Sequence, residues 1–334
     1  MDNHKETTDL IIKAVQQRQT VNAETEAYRL FNGFYEGLPG LVLDRYGPTL
    51  VVFNHGEPGA FQAVIDEISH WILQNLDDME SVLLKERQHP DERTKNGILM
   101  AGKTLPESIT EFGVNYALDL QMNQDASFYL DTRNLRRWLF DHMSGLRVLN
   151  TFAYTGSLGV AAGAGGAKLV VQSDIKGNFL AIAQQSWTLN ALPDQKCEIL
   201  EGDFFRVTGR MRNKNRLFDA VIIDPPYFSQ TNAGKVDLQQ ETTRLINKVR
   251  PLVAHEGWLV VINNALFLSG ADFMDELMDL CQSPYLEFDQ VIPVPTDITG
   301  TTDTIVDPPP VPTEPFNHPT KIAILKVFRK DERK

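Results

Sequence analysis

Residues 147–226 read RVLNTFAYTGSLGVAAGAGGAKLVVQSDIKGNFLAIAQQSWTLNALPDQKCEILEGDFFRVTGRMRNKNRLFDAVIIDPP, and this stretch decides the fold. It holds four short apolar runs: RVLNTF (147–152), KLVVQSD (168–174), CEILEGD (197–203) and FDAVIIDPP (218–226). Runs of this length, nearly continuous in apolar residues, suit strands buried on both faces. SLGVAAGAGG and GNFLAIAQQSWTLNAL between them read as helices. Strands alternating with helices predict a parallel sheet covered on both sides.

The pattern continues toward the C-terminus. A helix near 238–253 precedes a fifth strand, GWLVVINN (257–264), and another helix spans 271–281. FDQVIPVP (288–295) and KIAILKVFRK (321–330) follow as two strands with no helix between them, which predicts an antiparallel edge. Residues 296–320 form a long Thr/Pro-rich connection, either an irregular surface loop or a functional one. The expected fold class is therefore α/β, with a seven-stranded, mostly parallel sheet and an antiparallel edge strand.

Upstream the style differs. RNLRRWLFDHM, from Thr132 on, reads as a helix. Before it, a helix over 5–20 leads into YRLFNGFY, EGLPG and LVLDRYGPTLVVFN, apolar segments broken by turn signals. Residues 59–76 have helical periodicity, VLLKER (82–87) reads as a strand, and ILMAG, ITEFGV and YALDLQ form a further antiparallel set. The chain of 334 residues thus divides into a small α+β domain over 1–120 and a larger α/β domain over 121–334.

Composition narrows the function. A hydrophobic fraction of 42% with 23% charged residues excludes disorder and collagen. The two cysteines, Cys197 and Cys281, supply neither a cystine framework nor a metal cluster, so no metal is expected and a reducing, cytoplasmic setting is. No apolar run approaches the ~18 residues of a membrane span, and no export signal is visible, so no membrane partner is expected. The net charge of −12 argues against a polyanionic partner until its distribution is considered. Residues 1–120 carry 19 acids and 10 bases, a net of −9, and the remainder is close to neutral. Between Phe204 and Phe218 lie Arg206, Arg210, Arg212, Lys214 and Arg216 with no acid, readable as a solvated loop or as one that contacts phosphates.

Open α/β sheets bind ligands beyond the carboxyl ends of their strands. The first strand ends in NTFAYTGSLG, where Gly156 and Gly159 permit a tight turn and a close approach to a ligand, or simply close helix–sheet packing. The spacing is not the GxGxxG of a dinucleotide site. Asp174 ends the second strand, where a carboxylate can accept both hydroxyls of a ribose. Asp203 ends the third, where it can accept from the exocyclic amine of adenine. Each acid alone can equally be a helix cap, but the three features in order outline a nucleoside-shaped cradle. The fourth strand ends in Asp224-Pro225-Pro226-Tyr227-Phe228. Two prolines stiffen the chain and leave carbonyls and a carboxylate as acceptors, able to orient a planar amine on which Tyr227 or Phe228 stacks.

With these residues in place, the chain resembles the class I S-adenosylmethionine-dependent methyltransferases, which have a Rossmann-like sheet. Within them it resembles the bacterial large-subunit rRNA methyltransferases, best known for cytosine-C5 methylation of 23S rRNA. The segments that carry the likeness are GFYEGLPGLVLDRYGPTLVV, FYLDTRNLRR, VLNTFAYTGSLGVAA, GGAKLVVQSD, EGDFF and FDAVIIDPPYF. The resemblance implies S-adenosyl-L-methionine as cofactor. It places Phe128, Asp131, Arg133 and Arg136 at the cofactor entrance and Asn150, Thr151, Phe152, Ala153, Tyr154, Thr155 and Gly156 at the methionine end. Asp174 with Ile175 falls at the ribose, and Asp203 with Phe204 at the adenine. Asp224, Pro225, Pro226 and Tyr227 face the methyl acceptor. Arg133 and Arg136 also have the spacing of a helix-face ion pair.

Two departures from the family shape the expected chemistry. The family usually begins with an RNA-binding PUA domain, and this chain starts about where that domain would end, so the expectation is either that RNA grip comes from other residues, Arg206, Arg210, Arg212, Lys214 and Phe228 among them, or that the substrate differs. The cytosine-C5 members carry a cysteine after the fifth strand, where this chain has VVINNALFLSG with Asn263 and Asn264. C5 methylation needs a covalent nucleophile, so transfer to a nitrogen of an RNA base, ribosomal RNA first, is expected instead. A homo-oligomer is compatible with this reading. The competing readings are a methyltransferase acting on a protein or small molecule, an NAD-dependent oxidoreductase, and a non-catalytic RNA-binding or scaffold protein.

Overall fold

A computed structural model describes residues 2–18, 24–226, 228–231, 234–300 and 303–330. The chain forms two compact units, Met1–Asp131 with Pro295–Pro309, and Thr132–Val294 with Pro310–Lys334.

The first unit is built on a five-stranded sheet in chain order: β1 (Ala27–Asn32), β2 (Leu41–Tyr46), β3 (Thr49–Asn54), β4 (Ser81–Glu86) and β5 (Ile98–Ala101). Only β3 and β4 run parallel, because helix α2 (Gln62–Asn75) carries the chain back between them. Helix α1 (Asp2–Arg18) and α2 cover one face through Ile11, Val15, Ile65, Ile68 and Ile72. A short helix α3 (Glu92–Asn96) and the hairpin β6 (Ser108–Glu111)–β7 (Val114–Ala117) complete it.

The boundary expected at residue 120 moves, for two reasons. Residues 121–131 fold with the first unit. The buried Lys85 ammonium donates to the carbonyls of Asn123 and Asp125, at 2.8 and 3.0 Å, and the Tyr46 hydroxyl donates to the Phe128 carbonyl at 2.8 Å. Part of the long Thr/Pro-rich connection also returns to it. Asp297 accepts from the Arg29 amide at 2.9 Å, and its carbonyl accepts from Arg18 Nε at 3.0 Å. Arg18 in turn pairs with Glu36 at 2.9 Å, both buried, and Glu36 accepts from the Asn32 amide and the Thr304 hydroxyl. A buried ion pair is costly unless its other polar atoms find partners, and the returning segment supplies two of them, the Asp297 carbonyl and the Thr304 hydroxyl.

The second unit opens with helix α4 (Arg133–His142) and contains β8 (Arg147–Thr151), α5 (Ser157–Ala164), β9 (Leu169–Asp174), α6 (Gly177–Leu189), β10 (Cys197–Glu201), α7 (Phe204–Asn213) and β11 (Phe218–Ile223). A two-stranded ribbon of β12 (Phe228–Thr231) and β13 (Gly234–Asp237) follows. Then come α8 (Leu238–Val249), β14 (Val253–Asn263), α9 (Gly270–Cys281), β15 (Leu286–Val291) and β16 (Lys321–Val327). The seven-stranded sheet has the order β10-β9-β8-β11-β14-β16-β15. Its direction of growth reverses between β8 and β11, which opens a crevice at their carboxyl ends. Helices α4, α5 and α6 pack as one group and α7, α8 and α9 as another.

The predicted antiparallel edge exists in a different form. β16 is inserted between β14 and β15 and runs against both, so the antiparallel strand lies one place in from the edge, and β15 forms the edge itself. β16 is buried along nearly its whole length, and a central place gives both of its faces and both of its hydrogen-bonding sides a partner.

The basic stretch after β10 is helical, which corrects its reading as a loop. Phe204, Val207, Thr208 and Met211 are buried at helical spacing, so α7 packs on the core and displays its arginines on the other side. Among the described residues no helix is long and apolar enough to cross a membrane.

Candidate cofactor site

The site is built from the carboxyl ends of β8, β9, β10 and β11. Thr151, last in β8, donates from its hydroxyl to the Ile222 carbonyl at 2.7 Å and ties the two central strands together. The chain then makes a strained turn. Phe152, Tyr154 and Gly156 have φ of 54°, 50° and 77°. Bulky aromatic residues rarely adopt this region, at a cost of about 1–3 kcal/mol each, and such strain clusters where function needs a defined backbone. Neighbours impose it. The Ala153 amide donates to the Ser173 carbonyl at 2.9 Å, and the Tyr154 amide to Asp174 Oδ2 at 2.9 Å. The Gly156 amide closes the turn on the Ala153 carbonyl at 2.7 Å, and Thr155 between them is buried. The Tyr154 ring meets Phe179 edge-on with centroids 4.5 Å apart, and Phe152 stacks on Phe204 at 4.6 Å.

Both glycines are also required by close packing, and at Gly156 by the turn itself. A Cβ on Gly156 would fall 2.4 Å from Ala183 Cβ, and one on Gly159 would fall 2.4 Å from Gln172 Oε1. Gln172 is the residue that sequence reasoning misses. It is fully buried in β9 and accepts from Asn150 Nδ2 at 3.0 Å. Asn150 Oδ1 and Gln172 Nε2 are buried with no hydrogen-bond partner among the described residues. The only sign of it in the sequence is a glutamine inside an otherwise apolar strand, KLVVQSD.

Asp174 is half-buried and works as a turn clamp, accepting from the Tyr154 amide with one oxygen and from the Lys176 amide, at 3.0 Å, with the other. Each oxygen keeps a further lone pair for a donor. Ile175, beside it, is exposed. Asp203 takes the helix-cap reading with one of its oxygens. Oδ1 caps α7 by accepting from the Arg206 amide at 3.1 Å, while Oδ2 is buried with no partner among the described residues. A buried carboxylate oxygen without a donor is costly, which marks Oδ2 as a place for a ligand's N–H or O–H. Phe204 is buried, one face of its ring stacked on Phe152 and Phe205 set edge-on to it.

Asp224, Pro225 and Pro226 continue β11 past Ile223, with Asp224 half-buried and Pro226 exposed. Tyr227 lies outside the described residues, and Phe228 opens β12. Phe128 and Asp131 belong to the first unit, where the Phe128 ring packs 5.0 Å from Tyr116. Arg133 and Arg136 are buried in the first turns of α4, and Arg136 donates to the Thr132 hydroxyl at 2.8 Å.

Neither cysteine reaches this edge. Cys197 opens β10 and Cys281 ends α9, both at the opposite edge of the sheet. Burial, with Asp194 and Glu198 adding to it, pushes the Cys197 thiol up to about 12, and burial beside Glu287 raises Cys281 too. Neither thiol has the electropositive surroundings that favour a thiolate nucleophile.

Helix α7 leaves the ligand edge and, at 1.5 Å per residue, reaches about 15 Å toward the far edge. Arg206 in its first turn is therefore near the site, whereas Arg212 and Lys214 are at the remote end, and Arg216 is engaged by Glu198 at 2.8 and 3.2 Å. Two cations from α8 extend the basic face: Arg244 and Lys248 lie over the Phe205 ring at 4.8 and 5.9 Å.

The ribosomal RNA large subunit methyltransferase I of Aeromonas hydrophila is 34% identical over 212 residues, 62% of this chain and 53% of that protein. The enzyme of the same name from Klebsiella pneumoniae is 30% identical over 257 residues, 70% of this chain and 62% of that one. The chain thus spans little more than half the length of these curated relatives. A solved structure from Streptococcus mutans, a candidate S-adenosylmethionine-dependent methyltransferase, superposes with a TM-score of 0.80 at 21% identity, over 97% of this chain and 81% of that one, and shares the fold. The family model of the S-adenosylmethionine-dependent methyltransferases matches residues 52–304, most of the chain, and the protein belongs to that family.

Proposed function

We propose that the protein transfers a methyl group to a nitrogen of an unstacked base in RNA, with ribosomal RNA as the substrate. The observation that carries the cofactor half is the buried Asp203 Oδ2, without a partner among the described residues, just past the end of β10 and one strand beyond Asp174. Asp203 holds the adenine amine, Asp174 the ribose hydroxyls, and the Asn150–Gly156 turn the methionine end. S-adenosylmethionine supplies a methyl carbon that its sulfonium already makes electrophilic, so the protein needs no nucleophile of its own. Its task is positioning. Asp224 and the Pro225 carbonyl accept from the acceptor's amino or ring N–H and turn the nitrogen lone pair toward the methyl carbon, and Asp224 receives the proton that is released. The remoteness and raised pKa of both thiols favour nitrogen over C5 of cytosine. The curated relatives' names support an RNA substrate, as does the basic face of α7 and α8, and such a substrate places the enzyme in the cytoplasm.

The direct test is mass spectrometry of ribosomal RNA from a deletion strain, in which one N-methylated nucleotide is expected to disappear. Persistence of every modification moves the substrate to a protein or small molecule. The basic face makes a second prediction. In the double variant Arg206→Glu/Arg210→Glu, KM for RNA rises steeply, and the slope of log affinity against log salt becomes shallower by about 0.7 for each phosphate left without its arginine. Filter binding at graded salt reads this, and an unchanged slope removes the face from the RNA path.

A further inference from the structure

The turn after β14 presents an apolar tip at the same edge of the sheet as Asp224. β14 pairs directly with β11, Val261 opposite Ile223, so the two neighbouring strands, about 5 Å apart, leave the sheet at the same edge, β14 two residues further along. The base of the turn is held from several sides. Asn263, fully buried, accepts from the Ala265 amide at 2.9 Å and donates to the Thr242 hydroxyl of α8 at 3.2 Å. The buried Lys321 ammonium of β16 donates to the Ala265 carbonyl at 3.0 Å. Ser269 ends the turn by capping α9, accepting from the Asp272 amide at 3.0 Å. Between these anchors, Leu266 is 42% exposed and Phe267 62% exposed. Among the described residues Phe267 is the most exposed of the large hydrophobics, although burying it would be worth about 1.5–3 kcal/mol on the area scale.

We propose that Phe267, with Leu266 beside it, is the stacking platform that receives the unstacked target base, or the base next to it, as the RNA presents its acceptor to Asp224. The inference rests on the RNA reading above. A rigidly based, exposed aromatic ring is what stacking requires, since every nucleobase offers a π-face and the ring pays little ordering cost.

The test uses the full chain and ribosomal RNA extracted from a deletion strain, with labelled methyl incorporation followed over a range of RNA concentrations. Phe267→Ala is expected to lower kcat/KM for RNA about ten- to one-hundredfold, mostly through KM, in line with the loss of one stacked base. Phe267→Trp is expected to restore most of it and Phe267→Leu little. Calorimetric affinity for S-adenosylmethionine is expected to be the same in all four proteins, because no cofactor-holding element contains the turn. If the wild type methylates the RNA and Phe267→Ala matches it, the stacking role is wrong and the RNA reading stands. If the wild type transfers nothing to RNA, both fall. If Phe267→Ala changes only the oligomeric mass in light scattering, the tip is an interface between copies and the stacking role is overturned.

Discussion

Asp224→Ala is expected to lower the rate of methyl transfer by about 10²–10⁴-fold while S-adenosylmethionine still binds. The range is that of a positioned acid–base group, with misalignment of the acceptor inside it. The two prolines that follow remove backbone donors, so Asp224 and the Pro225 carbonyl form an acceptor-only lip at the end of β11. Without the carboxylate, an acceptor N–H has one partner instead of two, and its lone pair no longer points at the methyl carbon. Asp224→Asn keeps an acceptor oxygen and loses the charge, so it should fall between wild type and alanine. Single-turnover methyl incorporation reads the chemical step, and calorimetry reads the cofactor. Wild-type turnover in Asp224→Ala would remove Asp224 from the reaction.

The second large effect concerns Asp174. Asp174→Ala should weaken S-adenosylmethionine about a hundredfold or more, since two hydrogen bonds to a charged acceptor are worth about 1.5–3 kcal/mol each. The same carboxylate also holds the amides of Tyr154 and Lys176, so the strained 152–156 turn loses its clamp at the same moment. Asn is a poor rescue. It has one acceptor oxygen, and its amide nitrogen would then face a backbone donor, so Asp174→Asn should lose nearly as much as alanine. Asp203 should behave differently. Asp203→Asn can keep its cap on the Arg206 amide with the oxygen and turn its nitrogen into the Oδ2 position. Its thermal stability should stay near wild type while cofactor affinity drops about tenfold, the worth of one charge-assisted hydrogen bond. Equal behaviour of the two asparagine variants in titration and melting would contradict these separate roles.

Much of the second unit is legible in the sequence because the relevant signals are local. Strands β8, β9, β10 and β11 are short apolar runs, and a run that ends in an acid places that acid at the carboxyl edge whatever the rest of the chain does. What is not legible is non-local. The burial pattern of α7 is present in Phe204, Val207, Thr208 and Met211, but five closely spaced cations hide it beneath a charge reading. Gln172 shows no local reason to matter, since its importance lies in the two glycines of another element that close on its amide. The returning segment 295–309 carries no periodicity. It joins the first unit through Asp297, Thr304 and the Arg18–Glu36 pair, interactions between residues far apart in the chain.

The sequence alone determined the kind of sheet, the order of its elements and which side chains stand at the strand ends, because hydrophobic period and turn chemistry act over a few residues. Only the tertiary structure decided that β16 enters between β14 and β15, that one oxygen of Asp203 is spent on a helix cap while the other has no donor among the described residues, and that both cysteines lie at the far edge from the site. Each of these depends on strand order and burial, which arise from pairings across the whole chain and leave no mark on any single stretch of it.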